Sequence, residues 1–201
     1  LIEAVDGVAQ KYGDFGVALR PHKRTPVPAL PLFDEGVWWA QDAGAAQAAQ
    51  LLRSLPKGAR VLDMCSAPGG KALQLSSFGF EVVAVEKSTK RAERLRQNLE
   101  RCKCHVDVRV QDATLVEDMF DGVLVDAPCS ATGTARRRPD VLRKDLDLEA
   151  LAATQAALLD AAWRCLKPGG LLVFSSCSAL TADAEASFAA FLQRAADAHL
   201  V

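Results

Sequence analysis

From residue 60 onward, short apolar runs alternate with longer segments of helical pattern, and this alternation constrains the fold more than any other feature of the chain. Strands are predicted at 60–63, 81–86, 106–110, 122–126 and 170–174. Helices are predicted after the turn that follows the first strand, and over 90–102, 148–166 and 182–196. Upstream, Asp42 is placed to cap an Ala-rich helical run over 43–55, which Pro56-Lys57-Gly58 ends. Apolar strands separated by helices predict an α/β fold, a mostly parallel sheet with helices on both faces. In such sheets ligands bind beyond the carboxyl ends of the strands.

Residues 1–41 read differently. Pro21, Pro26, Pro28 and Pro31 favour extended, loop-like backbone, with one short strand over 16–20. This stretch is expected to be the tail of an upstream subdomain, and 42–201 the core. The chain begins at Leu1 rather than Met, so a fragment or processed chain is expected. With 201 residues, 50% of them hydrophobic and 24% charged, it suits one globular domain and excludes a disordered chain or a coiled coil. No apolar run reaches the 18 or so residues of a membrane span, and no signal-peptide pattern opens the chain. A cytoplasmic monomer with reduced thiols is therefore expected, and no membrane partner. The net charge of −1 gives no global sign of a nucleic-acid partner. Cys102-Lys103-Cys104-His105 lacks the second ligand pair of a structural zinc site, so no metal is expected.

Polar residues gather at the predicted strand ends: Asp63, Glu86, Asp112, Asp126 and Cys177. Any one acid can cap a helix, but four at successive strand ends converge on one crevice. The first turn, Asp63-Met64-Cys65-Ser66-Ala67-Pro68-Gly69-Gly70-Lys71, has glycines that let backbone approach a ligand at a helix N-terminus. It is not G-x-G-x-x-G. Nor is it a P-loop, since Cys65 stands where the first Gly belongs and Ala72 follows the Lys. Glu86, 23 residues beyond Asp63, suits an acceptor for ribose hydroxyls. Asp112 suits an acceptor for an adenine amino group. A nucleoside cofactor without a pyrophosphate points to S-adenosylmethionine.

With that turn, Asp126-Ala127-Pro128-Cys129-Ser130-Ala131-Thr132-Gly133 and Ser175-Ser176-Cys177-Ser178 resemble the RNA 5-methylcytosine methyltransferases of the Nop/Sun family. The resemblance runs from about Leu30 onward and is nearest to the bacterial branch acting on small-subunit 16S ribosomal RNA. It implies a Rossmann-like S-adenosylmethionine-dependent fold with sheet order 3-2-1-4-5-7-6, although the chain ends at Val201 before the last two strands. The bacterial branch carries an N-terminal RNA-binding domain similar to the antitermination factor NusB, which is not expected within these 201 residues. The implied cofactor site is Cys65, Ser66, Ala67, Pro68, Gly69, Gly70, Lys71, Glu86, Asp112 and Asp126. Glu86 stands where the family is expected to have Asp, and Ser176 where it often has Thr.

The implied chemistry is covalent: a thiolate adds to cytosine C6, C5 takes the methyl group, and a base then removes the C5 proton. The resemblance assigns the nucleophile to Cys177 and product release to Cys129. Asp126 would hydrogen-bond the cytosine ring, and Lys71 would lower a thiol pKa or contact substrate. The sequence alone leaves open the reverse assignment, with Cys129 as nucleophile like the Pro-Cys of DNA cytosine methyltransferases. Cys165 reads as a small buried hydrophobe. For RNA, Arg136, Arg137 and Arg138, with Arg143 and Lys144, set five cations against Asp140 within nine residues. Lys87, Lys90, Arg91 and Arg94 read as ordinary helix surface. A tRNA substrate, or an RNA-binding module with a cofactor site and no turnover, are the alternatives.

Overall fold

In a computed structural model, which describes residues 7–11, 17–21 and 25–201, the strand–helix alternation becomes a five-stranded parallel sheet. The chain opens with an antiparallel hairpin of β1 (Gly7–Lys11) and β2 (Val17–Pro21). The second strand was expected. The first was missed because it carries no distinctive apolar run, and Gly16 lies outside the described residues. Then follow α1 (Ala43–Gln50), β3 (Arg60–Met64), α2 (Gly70–Ser77), β4 (Glu81–Val85), α3 (Thr89–Arg101), β5 (Asp107–Arg109), β6 (Phe120–Asp126), α4 (Leu148–Arg164), β7 (Leu166–Ser175) and α5 (Ala186–Arg194).

Helix starts follow local chemistry. Asp42, Ser88 and Asp147 each accept a backbone N–H of the first turn of α1, α3 and α4. The run expected to be helical over 43–55 is α-helical only to Gln50 and tightens into a 3₁₀ turn over Leu51–Ser54. The fifth sheet strand starts at Leu166 rather than at 170. Phe120 pairs with Leu166 and Gly122 with Leu171, so the intervening residues, including the exposed Lys167-Pro168-Gly169, loop out of register. The last helix starts at Ala186, preceded by a wide π-type turn over Thr181–Glu185 in which Asp183 leaves helical geometry (φ −93°, ψ −108°).

The sheet order is β5-β4-β3-β6-β7, with every neighbouring pair parallel. Alternate residues of the central strands enter opposite cores. Val61, Val82, Ala84 and Leu124 pack with Leu52, Leu73, Leu95 and Leu99 from the helices on one face. Leu62, Met64, Val83, Val85, Val123 and Val125 pack with Phe120, Leu158 and Ala162 on the other. Burial on both faces is why the strands read as nearly unbroken apolar runs. Each fully buried Leu or Val of these strands contributes about 1.5–3 kcal/mol of transfer free energy. Trp163, Phe174, Phe188 and Phe191 form a third cluster between α4 and α5.

The segment ahead of α1 is docked on the core. The Arg101 guanidinium at the end of α3 lies 3.9 Å from the centroid of the Phe33 ring and donates to the carbonyls of Phe33 and Trp38. Gln41 donates to the Gln74 side chain on α2 at 2.8 Å. No helix among the described residues is long and apolar enough to cross a membrane.

Candidate active site

The direction of chain winding reverses between β3 and β6, and the crevice beyond the carboxyl ends of such strands is where this architecture binds ligands. β3 delivers the turn from Asp63 to Lys71. Cys65 there has φ +61° and Gly69 φ +106°, so backbone geometry and not the Cys65 thiol shapes the turn. A Cβ on Gly69 would stand 2.6 Å from Leu95 Cδ1, so only glycine lets α3 close against the loop. No side chain caps α2, which leaves its first N–H groups facing the crevice.

Two residues read as helix surface or not singled out brace this turn from α3. Arg91 donates to Ala67 O at 2.8 Å, and Asn98 to Pro68 O at 2.7 Å. Arg91 is thus a site residue and not ordinary surface, a correction that only the folded position of α3 supplies.

Glu86, at the end of β4, is buried, and its Oε1 accepts the Ser88 N–H. Its Oε2 lies 3.4 Å from Arg91 Nη2, close enough for charge pairing but without hydrogen-bond geometry, so it has no hydrogen-bond partner. A buried carboxylate oxygen without a donor is costly, and a ligand hydroxyl would satisfy it. The carboxylates converge as the strand ends required. Burial, with the negative charges of Glu86, Asp63 and Asp126, pushes the Cys65 thiol up to about 12. Asp112 is differently placed. It caps the turn Ala113–Leu115 through Thr114, and its other oxygen accepts from Lys87 at 2.8 Å. The Lys87 bond, then the Thr114 bonds, hold its carboxyl down to about 2.

Asp63 is fully buried and keeps only the Ser66 hydroxyl at 2.6 Å, with Oδ1 unpartnered. Burial pushes its pKa up to about 7; the Ser66 hydroxyl opposes this, Asp126 adds to it and Lys71 opposes it. The folded value therefore lies above the ordinary 3.8. Stability from this group is complete below about pH 4, is lost as pH rises through 7, and is level above. The full loss is on the order of 4 kcal/mol. Asp63→Asn is expected to flatten this part of the stability–pH curve, measured as the difference in urea unfolding free energy between pH 5 and pH 8. An unchanged difference would place the buried proton elsewhere.

The two motif cysteines meet because β6 and β7 are parallel neighbours with Asp126 opposite Ser175. Cys129 and Cys177 each lie a few residues beyond that pair, and their sulfurs are 3.5 Å apart. Cys177 is exposed and Cys129 half-buried. The Cys177 S–H beside it holds the Cys129 thiol far below its ordinary range, at about 5. The same contact, with burial and the charges of Cys129 and Asp126, pushes the Cys177 thiol up. The two thiols titrate as one coupled pair, Cys129 the more readily. Lys71 Nζ lies 2.8 Å from Asp126 Oδ2.

The basic loop is partly neutralised. Arg137 pairs with Asp42 at 2.8 Å and Arg138 with Asp140 at 3.5 Å. Arg136, Arg143 and Lys144 are exposed and make no ion pair among the described residues. Cys165 is buried, its sulfur 3.1 Å from Val116 O. Cys102 and Cys104 pack against the core, and among the described residues no group of three or more His, Cys, Asp or Glu is placed to hold a metal ion. Sequence reasoning missed Asp183 and Gln155. Both are buried polar residues beside the cysteine loops, and nothing in their sequence neighbourhood marks them.

Comparison with known proteins agrees with this geometry. Ribosomal RNA small subunit methyltransferase B of Xanthomonas campestris is 44% identical over 90% of this chain and 44% of its own length. The chain thus spans less than half the length of curated relatives of this kind. The crystal structure of PH0851 superposes with a TM-score of 0.88 at 26% identity, covering 96% of this chain and 46% of that one. That of NSun6 from Pyrococcus horikoshii with SFG superposes with a TM-score of 0.77 at 27% identity, covering 89% of this chain and 49% of that one. The profile described as 16S rRNA methyltransferase RsmB/F matches residues 49–201. With the strand order, the glycine turn and the paired cysteines all in place, the chain belongs to the 16S rRNA methyltransferase RsmB/F family.

Proposed function

We propose that this chain is the catalytic core of an S-adenosylmethionine-dependent methyltransferase acting on cytosine C5 of small-subunit 16S ribosomal RNA. The observation that carries the chemistry is the pair of motif sulfurs 3.5 Å apart beyond the ends of adjacent strands. Methylation of an oxygen or an exocyclic nitrogen needs no thiol, whereas the unreactive C5 of cytosine needs a nucleophile at C6.

The residues of the first turn fit the cofactor. The uncapped α2 N-terminus suits its carboxylate, and the unpartnered Glu86 Oε2 suits a ribose hydroxyl. A neighbour of 27% identity is described with SFG, an analogue of this cofactor. S-adenosylmethionine, when bound, supplies an electrophilic methyl group. Cys177 forms a bond to cytosine C6 and its proton passes to Cys129. The π pair of the C5=C6 bond shifts onto C5 and makes it nucleophilic. Asp126, held by Lys71, hydrogen-bonds the cytosine ring and supports its protonation, which offsets the negative charge that the attack places there. After methylation a water molecule takes the C5 proton, the C–H electron pair re-forms the C5=C6 bond as the S–C6 bond breaks, and the departing Cys177 thiolate takes back the proton held by Cys129. The target base must leave its stack to reach the sulfurs, which favours loop or single-stranded RNA. The exposed Arg136, Arg143 and Lys144 supply the phosphate contacts in this reading, with Arg137 and Arg138 joining once their pairing acids are displaced.

The low pKa of Cys129 favours a second reading, in which Cys129 attacks C6 and Cys177 assists. Both readings share one first test. The protein with S-adenosylmethionine and small-subunit ribosomal RNA is expected to form 5-methylcytosine, read by nucleoside mass spectrometry. Cofactor binding without any methylated cytosine would reduce the chain to a cofactor-binding module.

A further inference from the structure

Cys129 lies between two residues whose backbone is pinned from a distance. The Ser130 N–H donates to Asp183 Oδ2 at 2.8 Å. Pro128 O accepts from Gln155 Nε2 at 2.9 Å, and the same Gln155 amide donates to Asp183 Oδ1 at 2.7 Å. Asp183 and Gln155 are only 2% and 0% exposed, so these bonds form away from water. Burial opposes the Asp183 charge, but the Ser130 N–H and the Gln155 amide outweigh it and hold the carboxyl below its ordinary value. Such charge-assisted bonds are shorter and stiffer than neutral ones.

Asp183 comes from the turn that follows Cys177, and Gln155 from α4. The Cys177 segment is tied to the same loop: Gly133 N–H donates to Cys177 O at 3.0 Å, and the Ser130 and Ser178 hydroxyls are 2.8 Å apart. A carboxylate used only to fill this space would be a poor choice. An uncharged residue would avoid the desolvation cost, and the charge is set on the one backbone amide next to the half-buried thiol.

We propose that Asp183, through Gln155, is a positioning residue for Cys129 that fixes its sulfur against Cys177 and thereby sets the rate at which the covalent enzyme–RNA adduct is released. This rests on the assignment of Cys177 as nucleophile and Cys129 as the releasing group. No new chemical step is added; the brace acts only on where the Cys129 sulfur stands.

Two readouts test it on the full chain. The first needs no RNA: the pH profile of iodoacetamide alkylation at Cys129, mapped by mass spectrometry. Asp183→Ala is expected to shift it upward by about 1 unit or more, because the Cys129 sulfur is then no longer held against the Cys177 sulfur that is its hydrogen-bond partner. The second is decay of the denaturation-resistant adduct with ribosomal RNA, expected to slow on the order of 100-fold, as displacement by about 1 Å can do. Asp183→Asn keeps an acceptor for Ser130 and is expected to retain most of both properties. If Asp183→Ala does not fold, Gln155→Leu carries the same test.

Folded variants with the wild-type alkylation profile overturn the proposal, as does a shifted profile with wild-type release. Cys129→Ala is the control for the underlying assignment. Normal release in that variant overturns the assignment and the release role with it, while the alkylation profile by itself still decides whether Asp183 places the thiol.

Discussion

Cys177→Ala is expected to abolish both methyl transfer and the denaturation-resistant protein–RNA adduct, whereas Cys129→Ala is expected to form the adduct and retain it. Loss of the nucleophile removes the only bond that activates C5, so the rate should fall by at least about 10⁴-fold, as for other nucleophiles acting within a catalytic set. Cys177 is exposed, so its truncation leaves no buried cavity, and thermal melting of the variant serves as the control for folding. Lost activity in a protein with unchanged melting then reports chemistry. The paired ionisation makes the opposite result informative. The Cys129 thiol, at about 5, is the easier of the two to ionise. If Cys129→Ala loses the adduct and Cys177→Ala keeps it, the roles are reversed. Denaturing gel electrophoresis of each variant with labelled RNA separates the cases directly.

Glu86→Ala is expected to weaken S-adenosylmethionine binding by about 100-fold, measured by calorimetry without RNA. A hydrogen bond to a charged group contributes about 1.5–3 kcal/mol, and a ribose diol offers Glu86 two. The unpartnered Oε2 is already buried and aligned, so little ordering opposes the contact. Part of the loss comes from Arg91, whose guanidinium lies 3.4 Å from Oε2 and also holds Ala67 O. Arg91→Lys separates the contributions: it keeps the charge and loses the fork. If Glu86→Ala binds the cofactor like wild type, the ribose lies elsewhere and Glu86 serves only to start α3.

Much of the site was legible residue by residue. Asp63, Glu86 and Asp126 were found because apolar strands ending in an acid are a local pattern. Cys129 and Cys177 were found because each lies in a short motif. What those residues contact was not legible. No local pattern showed that Lys71, read as lowering a thiol pKa or contacting substrate, also pairs with Asp126, 55 residues away. None showed that Asp112, read as an acceptor for an adenine amino group, also caps the turn at Thr114 and holds Lys87. Arg91 was read as surface, but α3 turns it onto the Ala67 carbonyl. Asp183 fell inside a predicted helix start, and its buried position follows from the wide turn that replaces the first turn of that helix.

The sequence by itself determined the order of the sheet strands and the helices between them, the Asp42 cap of α1 and the identity of the motif residues, because periodicity, capping and glycine turns act over a few neighbouring residues. Only the tertiary structure decided the register of β6 against β7, and with it the 3.5 Å between the sulfurs and the Asp183–Gln155 brace. Those contacts join residues 27 to 53 positions apart. Their distances follow from how the sheet and α4 pack together, which no local pattern encodes.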